Sequence, residues 1–207
     1  RSRSGAWEIV QYETAEEISP SVWRLGGLLR GQLGTDDAMR AGASAGADIV
    51  VLNARVVACG LTAGEIGLTL NWKVGRTGSV PTDDAFVTLN AVGGLRCQLP
   101  LSPVHLRARA AGGDLAIGWV RRGRLDADAW EPAEIPLGEW TEQYRIDIAA
   151  ADGPTVRSET VTEPRWTYEA GTLAADFPLR PAAIDVTVRQ FSTAAGWGVP
   201  AQRRFAI

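Results

Sequence analysis

Two stretches carry residue types that can do chemistry. The first is RLGGLLRGQLGT, residues 24–35, with paired glycines, two arginines and a Gly-x-x-x-x-Gly spacing from Gly26 to Gly31. Such a loop can cradle phosphate if Lys and Ser/Thr follow the second glycine, to neutralise the phosphates and to hold Mg²⁺. Gln32 and Leu33 stand there instead. A dinucleotide fingerprint, Gly-x-Gly-x-x-Gly ahead of a long helix, is missing as well. The second stretch is LDADAWEPAEIPLGEW, where Asp126, Asp128, Glu131, Glu134 and Glu139 interleave with Trp130 and Trp140. Two carboxyl groups about 5–10 Å apart across a sugar ring make a glycosidase. Aromatic rings beside acids also form sugar-binding faces. Pro132 and Pro136 favour a solvated acidic loop whose tryptophans tuck against a scaffold.

The remaining candidates are sparse. His105 is the sole histidine, on the polar side of its strand by alternation, and no Gly-x-Ser-x-Gly elbow accompanies it. Arg121, Arg122 and Arg124 are expected to pair with Asp126 and Asp128 of the same loop, and Arg122 is retained as a ligand or interface contact. Asp36–Asp37 and Asp83–Asp84 lack the further ligand spacing of a calcium loop. Cys59 and Cys97, the only cysteines, cannot build a disulfide framework and show no zinc spacing. A single bridge between them is one reading; two buried thiols, each in an apolar segment, is the preferred one. Trp7, Trp23, Trp72 and Trp166 are assigned to the core. Trp197, between glycines in AAGWGVP, is hard to bury at a hairpin tip and is kept as an interface or carbohydrate contact. No catalytic residue, cofactor site or metal site is assigned.

The elements that must position these residues are strands. Apolar and polar residues alternate through WEIVQYE, DIVVLNARVV, EIGLTLNWKV, AFVTLNAV, VHLRARA, DLAIGWV, YRIDIAA, WTYEA, IDVTVRQF and RRFAI, separated by Gly, Pro, Asp and Ser clusters. The chain is therefore expected to be all-β. Within RLGGLLRGQLGT, Val22–Leu29 suits a strand buried in part on both faces, Gly31 and Gly34 supply bends, and Thr35 caps a short helix that ends at Arg40 and Gly42. The prolines of CQLPLSPVHL mark a seam, which divides a β-rich domain at 1–100 from a sandwich at 101–207. In the latter, Val104, Leu106 and Ala108; Leu115, Ile117 and Trp119; Tyr144, Ile146 and Ile148; and Ile184, Val186 and Val188 form inward stripes of period 2.

Bulk properties exclude several partners. The 207 residues carry a net charge of −3 with mixed signs, and Lys73 is the single lysine, so no cationic footprint for nucleic acid exists. No run approaches the roughly 20 apolar residues of a membrane span. The opening RSRSGAW, without an initiator Met or signal peptide, is read as the start of a piece of a longer polypeptide made in a bacterial cytoplasm.

Two resemblances attach to these motifs. PVHL, LAIGWVRR, YRIDI and LRPAAIDVTVRQFSTAAGWGVPA together resemble a fibronectin type III domain, with one departure: Ile184 stands where the family usually places a corner tyrosine. AWEIVQYE, then RLGGLLRGQLGT, then AGADIVVLN are similar to a segment near the C-terminus of large phage tail-tip proteins of the gene-transfer-agent type; GWVRRGRLDADAW is similar to them too. Longer chains of that type carry a glycoside-hydrolase-like TIM barrel upstream, which is not in these residues. The resemblance implies a virion structural protein at the tail tip, part of a hub or central fibre. It also implies a homotrimer around the tail axis, other tail-tip proteins as partners, a host surface glycan or receptor as target, and no enzymatic activity. The alternative is a carbohydrate-binding accessory module of a polysaccharide-degrading enzyme, to which the Trp/Glu-rich loop is equally suited.

Overall fold

The computed structural model describes residues 1–82, 84–127 and 134–207. Nearly all regular structure in it is strand, as the alternation predicts. The chain forms two compact units, Arg1–Asp48 with Leu99–Ile207, and Ile49–Gln98. That division departs from a boundary at residue 100, because the first 48 residues are stitched to the sandwich.

The leading segment holds β1 (Ile9–Gln11), β2 (Thr14–Ser19), β3 (Val22–Gly26), β4 (Leu29–Gln32) and α1 (Asp36–Ala41). β1 pairs with β4, and β2 with β3, as two separate antiparallel ribbons. Gly27, with φ of 61°, turns the chain between β3 and β4, so the expected single strand is two. Its apolar residues are also more exposed than expected: Trp23 at 56% and Leu29 at 56% face outward. Thr35 precedes α1 as foreseen but does not cap it. Its hydroxyl donates to the Gln32 carbonyl (2.7 Å) and accepts from the Ile9 N–H (3.0 Å), tying helix, β4 and β1 together.

The unit Ile49–Gln98 contains one hairpin, β5 (Thr69–Val74) with β6 (Val87–Val92), and two 3₁₀ turns. DIVVLNARVV forms no strand, despite its β-branched content. Among the described residues of this unit none is fully buried. Cys59 and Cys97 are exposed, against the expectation of buried thiols, and no disulfide joins them.

The sandwich is built from β7 (Val104–Ala111), β8 (Asp114–Val120), β9 (Tyr144–Ala150), β10 (Thr155–Val161), β11 (Arg165–Tyr168), α2 (Ala170–Asp176), β12 (Ala183–Ser192), β13 (Gly196–Trp197) and β14 (Ala201–Ala206). One sheet runs β11-β8-β7; the other runs β10-β9-β12, with β14 and the short β13 also pairing β12. Two antiparallel sheets of three and four main strands define a fibronectin type III-like sandwich. The stripes converge as the period-2 pattern requires: Ile146, Ile148, Ile184, Val186 and Val188 are at 0% exposure, with Leu106, Leu115, Ile117 and Trp119 behind them. Gly112 and Gly113, both at positive φ, close the β7–β8 hairpin. His105 is exposed and left-handed (φ 52°) at an irregularity in the same ladder.

The missing corner tyrosine has a substitute. Ile184 is buried in the core, and the connection between β11 and β12 is held instead from Tyr168. Its hydroxyl donates to Asp176 Oδ2 (2.5 Å) at the end of α2, and Arg157 of β10 grips the same carboxylate. Burial, then the bond to Asp176, pushes the Tyr168 phenol above its ordinary range; Arg157 holds Asp176 below the usual carboxylate range. α2 itself was not foreseen; Leu173 and Phe177 anchor it to the core.

A second arginine fixes the β9–β10 turn. Arg204 donates to Asp185 (2.7 and 2.8 Å) and to Asp152 (3.1 and 2.6 Å), pinning the β9–β10 turn to β12 and β14. Arg204 and the Asp152 N–H hold Asp185 at about 2. An unfolded aspartate titrates near 3.9, so the depressed folded value contributes stability that is complete above about pH 4 and lost as pH falls toward 2. Amide exchange at Ala151–Gly153 is expected to accelerate selectively in that window. An Asp185→Asn variant should show the faster exchange already at neutral pH.

Candidate functional site

The phosphate-like loop is occupied from within. Arg30, the sixth residue after Arg24, donates from Nε and Nη2 to the two oxygens of Glu8 (2.9 and 2.7 Å), a bidentate pair, and the Gly31 N–H donates to the same carboxylate (3.1 Å). The Glu8 side chain is 8% exposed. Arg30 first, with the Gly31 N–H assisting, holds its carboxyl below the usual range. Gly31 has φ of 64°, which lets its amide turn toward Glu8. The Glu of WEIVQY, the Arg-Gly of LLRG and the Thr of GT thus meet as one clasp. The anion it takes is a side chain of this protein, and the groups that would receive a phosphate are engaged.

The acidic loop lies between β8 and β9. Asp128, Trp130 and Glu131 lie outside the described residues. The expected pairing with Asp128 falls outside the described residues; the arginine run pairs with these described acids. Arg121 pairs with Glu134 (3.2 Å), Arg122 with Asp36 of α1 (2.9 Å), and Arg124 with Glu139. Asp126 is exposed and left-handed (φ 45°). Arg122 therefore acts as a strut from the loop to α1. Arg40 adds a parallel link, donating to the Pro200 carbonyl (2.7 Å) and to Ser102 Oγ (3.0 Å). Sequence distance hid both: Asp36 and Arg122 are 86 residues apart.

The tryptophans divide. Trp140 stands 90% exposed beside Glu139, whose side chain is 6% exposed. Trp197 is half-buried, its ring 5.0 Å from Phe191, so the hairpin tip folds over rather than projecting. Trp166 packs on the core and against Tyr168 (4.9 Å), and Trp72 is half-buried. Trp7 and Trp23, assigned to the core, are exposed. Trp23 lies on the β2–β3 ribbon, to which no third strand pairs among the described residues.

Among the described residues, no converging set of reactive groups accompanies these features. A hollow of 390 Å³ is lined by Cys59, Leu61, Glu65 and Trp72, but Glu65 is turned back on the Thr62 N–H (2.8 Å) and hydroxyl (2.7 Å). Among the described residues, no group of three His, Cys, Asp or Glu can hold a metal. No helix among them is long and apolar enough to cross a membrane.

These features define a β-rich protein with a fibronectin type III-like sandwich and a clasped N-terminal segment. Residues 1–50, which contain the clasp, match the family model "Rcc01698-like, C-terminal". No curated protein matches the chain. Among solved structures it is similar to domains d3-d4 of the rat CD45 extracellular region, at 9% identity and a TM-score of 0.37, covering 98% of this chain and 99% of that one. It is also similar to the spore cortex lytic enzyme SleM of Clostridium perfringens, at 9% identity and a TM-score of 0.36, covering 66% of this chain and 38% of that one.

Proposed function

We propose that the chain is a non-enzymatic structural component of a phage or gene-transfer-agent tail tip, a hub or central-fibre module of the virion. In this reading it contributes to baseplate architecture and host-cell attachment, with other tail-tip proteins as neighbours and copies of itself around the tail axis. One observation carries the reading. The family-matched segment spends its signature residues Glu8, Arg30, Gly31 and Thr35 on internal hydrogen bonds, the use a scaffold makes of polar groups. Rigid sandwiches that present loops, repeated around an axis, multiply weak contacts into avidity. Cross-linking mass spectrometry on purified particles tests the placement. Links from this chain to tail-tip proteins are expected; its absence from intact particles removes the proposal, and so does turnover of a glycan by the purified chain.

The second reading, a carbohydrate-binding accessory module, is favoured by Trp140, whose exposed ring beside an acid is suited to stacking on a sugar. A glycan array with the wild-type chain and with Trp130→Ala, Trp140→Ala and Trp197→Ala variants tests it. Binding lost on Trp140→Ala supports attachment through this loop.

A further inference from the structure

Asp152–Gly153 is the single Asp–Gly step in the sequence, and no asparagine precedes a glycine. Such a step is chemically weak. Glycine has no Cβ to hold its nitrogen away from the preceding side-chain carboxyl. That nitrogen can attack Cγ. An N–Cγ bond forms, a Cγ–OH bond breaks, and water leaves with the amide proton. Water then opens the succinimide ring at its other carbonyl, and the main chain continues through Cβ as isoaspartate. Mass is unchanged, and water is the only other reactant.

The β9–β10 turn opposes each part of this reaction. The Gly153 N–H donates to the Ala150 carbonyl (2.9 Å), so the proton that must leave is held. Arg204 donates from Nη2 to Asp152 Oδ1 (2.6 Å) and from Nη1 to Oδ2 (3.1 Å), a fork that occupies both carboxylate oxygens. Loss of an oxygen as water needs the protonated carboxyl, and Arg204 holds this carboxyl below its usual range. The Asp152 N–H donates to Asp185 Oδ2 (3.1 Å), which fixes the residue in its left-handed conformation (φ 59°). Burial does not shield the site, since the Asp152 side chain is 84% exposed. The protection comes from Arg204.

We propose that Asp152 is the site at which this chain isomerises spontaneously, and that Arg204 guards it. In isoaspartate the free carboxylate sits directly on Cα, one carbon shorter, while the main chain is one carbon longer. The fork of Arg204 then loses its partner, and the turn is released from β12 and β14. The inference concerns the chemistry of the turn and stands apart from both readings of function.

Ageing of the purified full chain at neutral pH tests it, with a synthetic peptide of residues 146–157 as the unguarded reference. Isoaspartate is read by enzymatic methyl transfer from S-adenosylmethionine. It is located by sequencing the tryptic peptide 146–157, in which stepwise degradation halts at isoaspartate. The wild-type chain is expected to accumulate it about tenfold more slowly than the peptide, or slower still. Arg204→Gln should approach the peptide rate. Asp185→Asn loosens the turn but leaves Arg204 on the Asp152 carboxylate, so it should stay near wild type. Arg204→Lys keeps the charge without the fork and should fall between wild type and Arg204→Gln, which keeps the test open if the glutamine variant fails to fold. A wild-type chain that ages as fast as the peptide overturns the proposal. So do an Arg204→Gln chain that ages no faster than wild type, an Asp185→Asn chain that ages as fast as Arg204→Gln, and isoaspartate that maps to another residue.

Discussion

Trp119→Ala is expected to cost about 3–5 kcal/mol of sandwich stability. Trp119 is 3% exposed, and its ring meets Tyr144 edge-on at 5.2 Å, bridging β8 of one sheet to β9 of the other. Removing it opens a cavity where the two sheets share a layer, and the surrounding β-branched residues cannot rotate to fill it. For a domain of this size that loss corresponds to a fall of roughly 10 °C or more in the midpoint of thermal unfolding. The indole carries one liability, since its Nε1–H is buried without an acceptor. Trp119→Phe removes that donor along with part of the area. It should therefore cost much less than the alanine variant, about 1–2 kcal/mol. A calorimetric scan of the three proteins checks both figures. Equal losses in the two variants would show that the layer collapses readily and that Trp119 is not its keystone.

The second large effect is expected at Gly198. A Cβ built there would lie 2.5 Å from the Pro100 carbonyl oxygen and 2.7 Å from the Pro100 Cβ, which is backbone and ring rather than a flexible tip. Beside it, the Val199 N–H donates to the Pro100 carbonyl (3.0 Å), and Ser102 Oγ donates to the Pro200 carbonyl (2.9 Å). Gly198→Ala must push the two strands of chain apart, lose these bonds and release Arg40 from Pro200. The expected cost is about 1–3 kcal/mol. The consequence reaches α1, since Arg40 links it to the sandwich alongside the Asp36–Arg122 pair. Proteolysis within residues 1–48 should accelerate in Gly198→Ala, whereas Trp197→Ala, which removes only a ring packed on Phe191, should leave it nearly unchanged.

The sandwich was legible because its information is local. Period-2 stripes name the inward residues of β7, β8, β9 and β12, and two glycines at positive φ name a hairpin. β10 was not read, because TVRSETV alternates polar with polar on an edge strand. α2 was not read, because AGTLAAD has no capping side chain and is held by Tyr168 and Arg157, each reached only through the fold. The described partners of Arg122 and Arg124 were not read for the same reason. Nearby Asp126 is closer in sequence, but Asp36 and Glu139 are what the backbone brings to Arg122 and Arg124. Apolar content misled in the first half: DIVVLNARVV, Trp7 and Trp23 have the composition of buried strand, yet they are exposed. Of the site, the failure of the glycine loop as a phosphate cradle followed from Gln32 and Leu33. That Glu8 fills it did not, since the two lie on opposite ends of a four-strand excursion.

The larger unit is assembled from two stretches of chain, with Ile49–Gln98 leaving and returning between them. In topological terms that unit is an insert carried on a host whose clasp, struts and core are made without any of its residues. Replacements of differing length can therefore be exchanged at this position while the host's hydrogen bonds stay as they are, which makes the insert the part of the molecule freest to diversify.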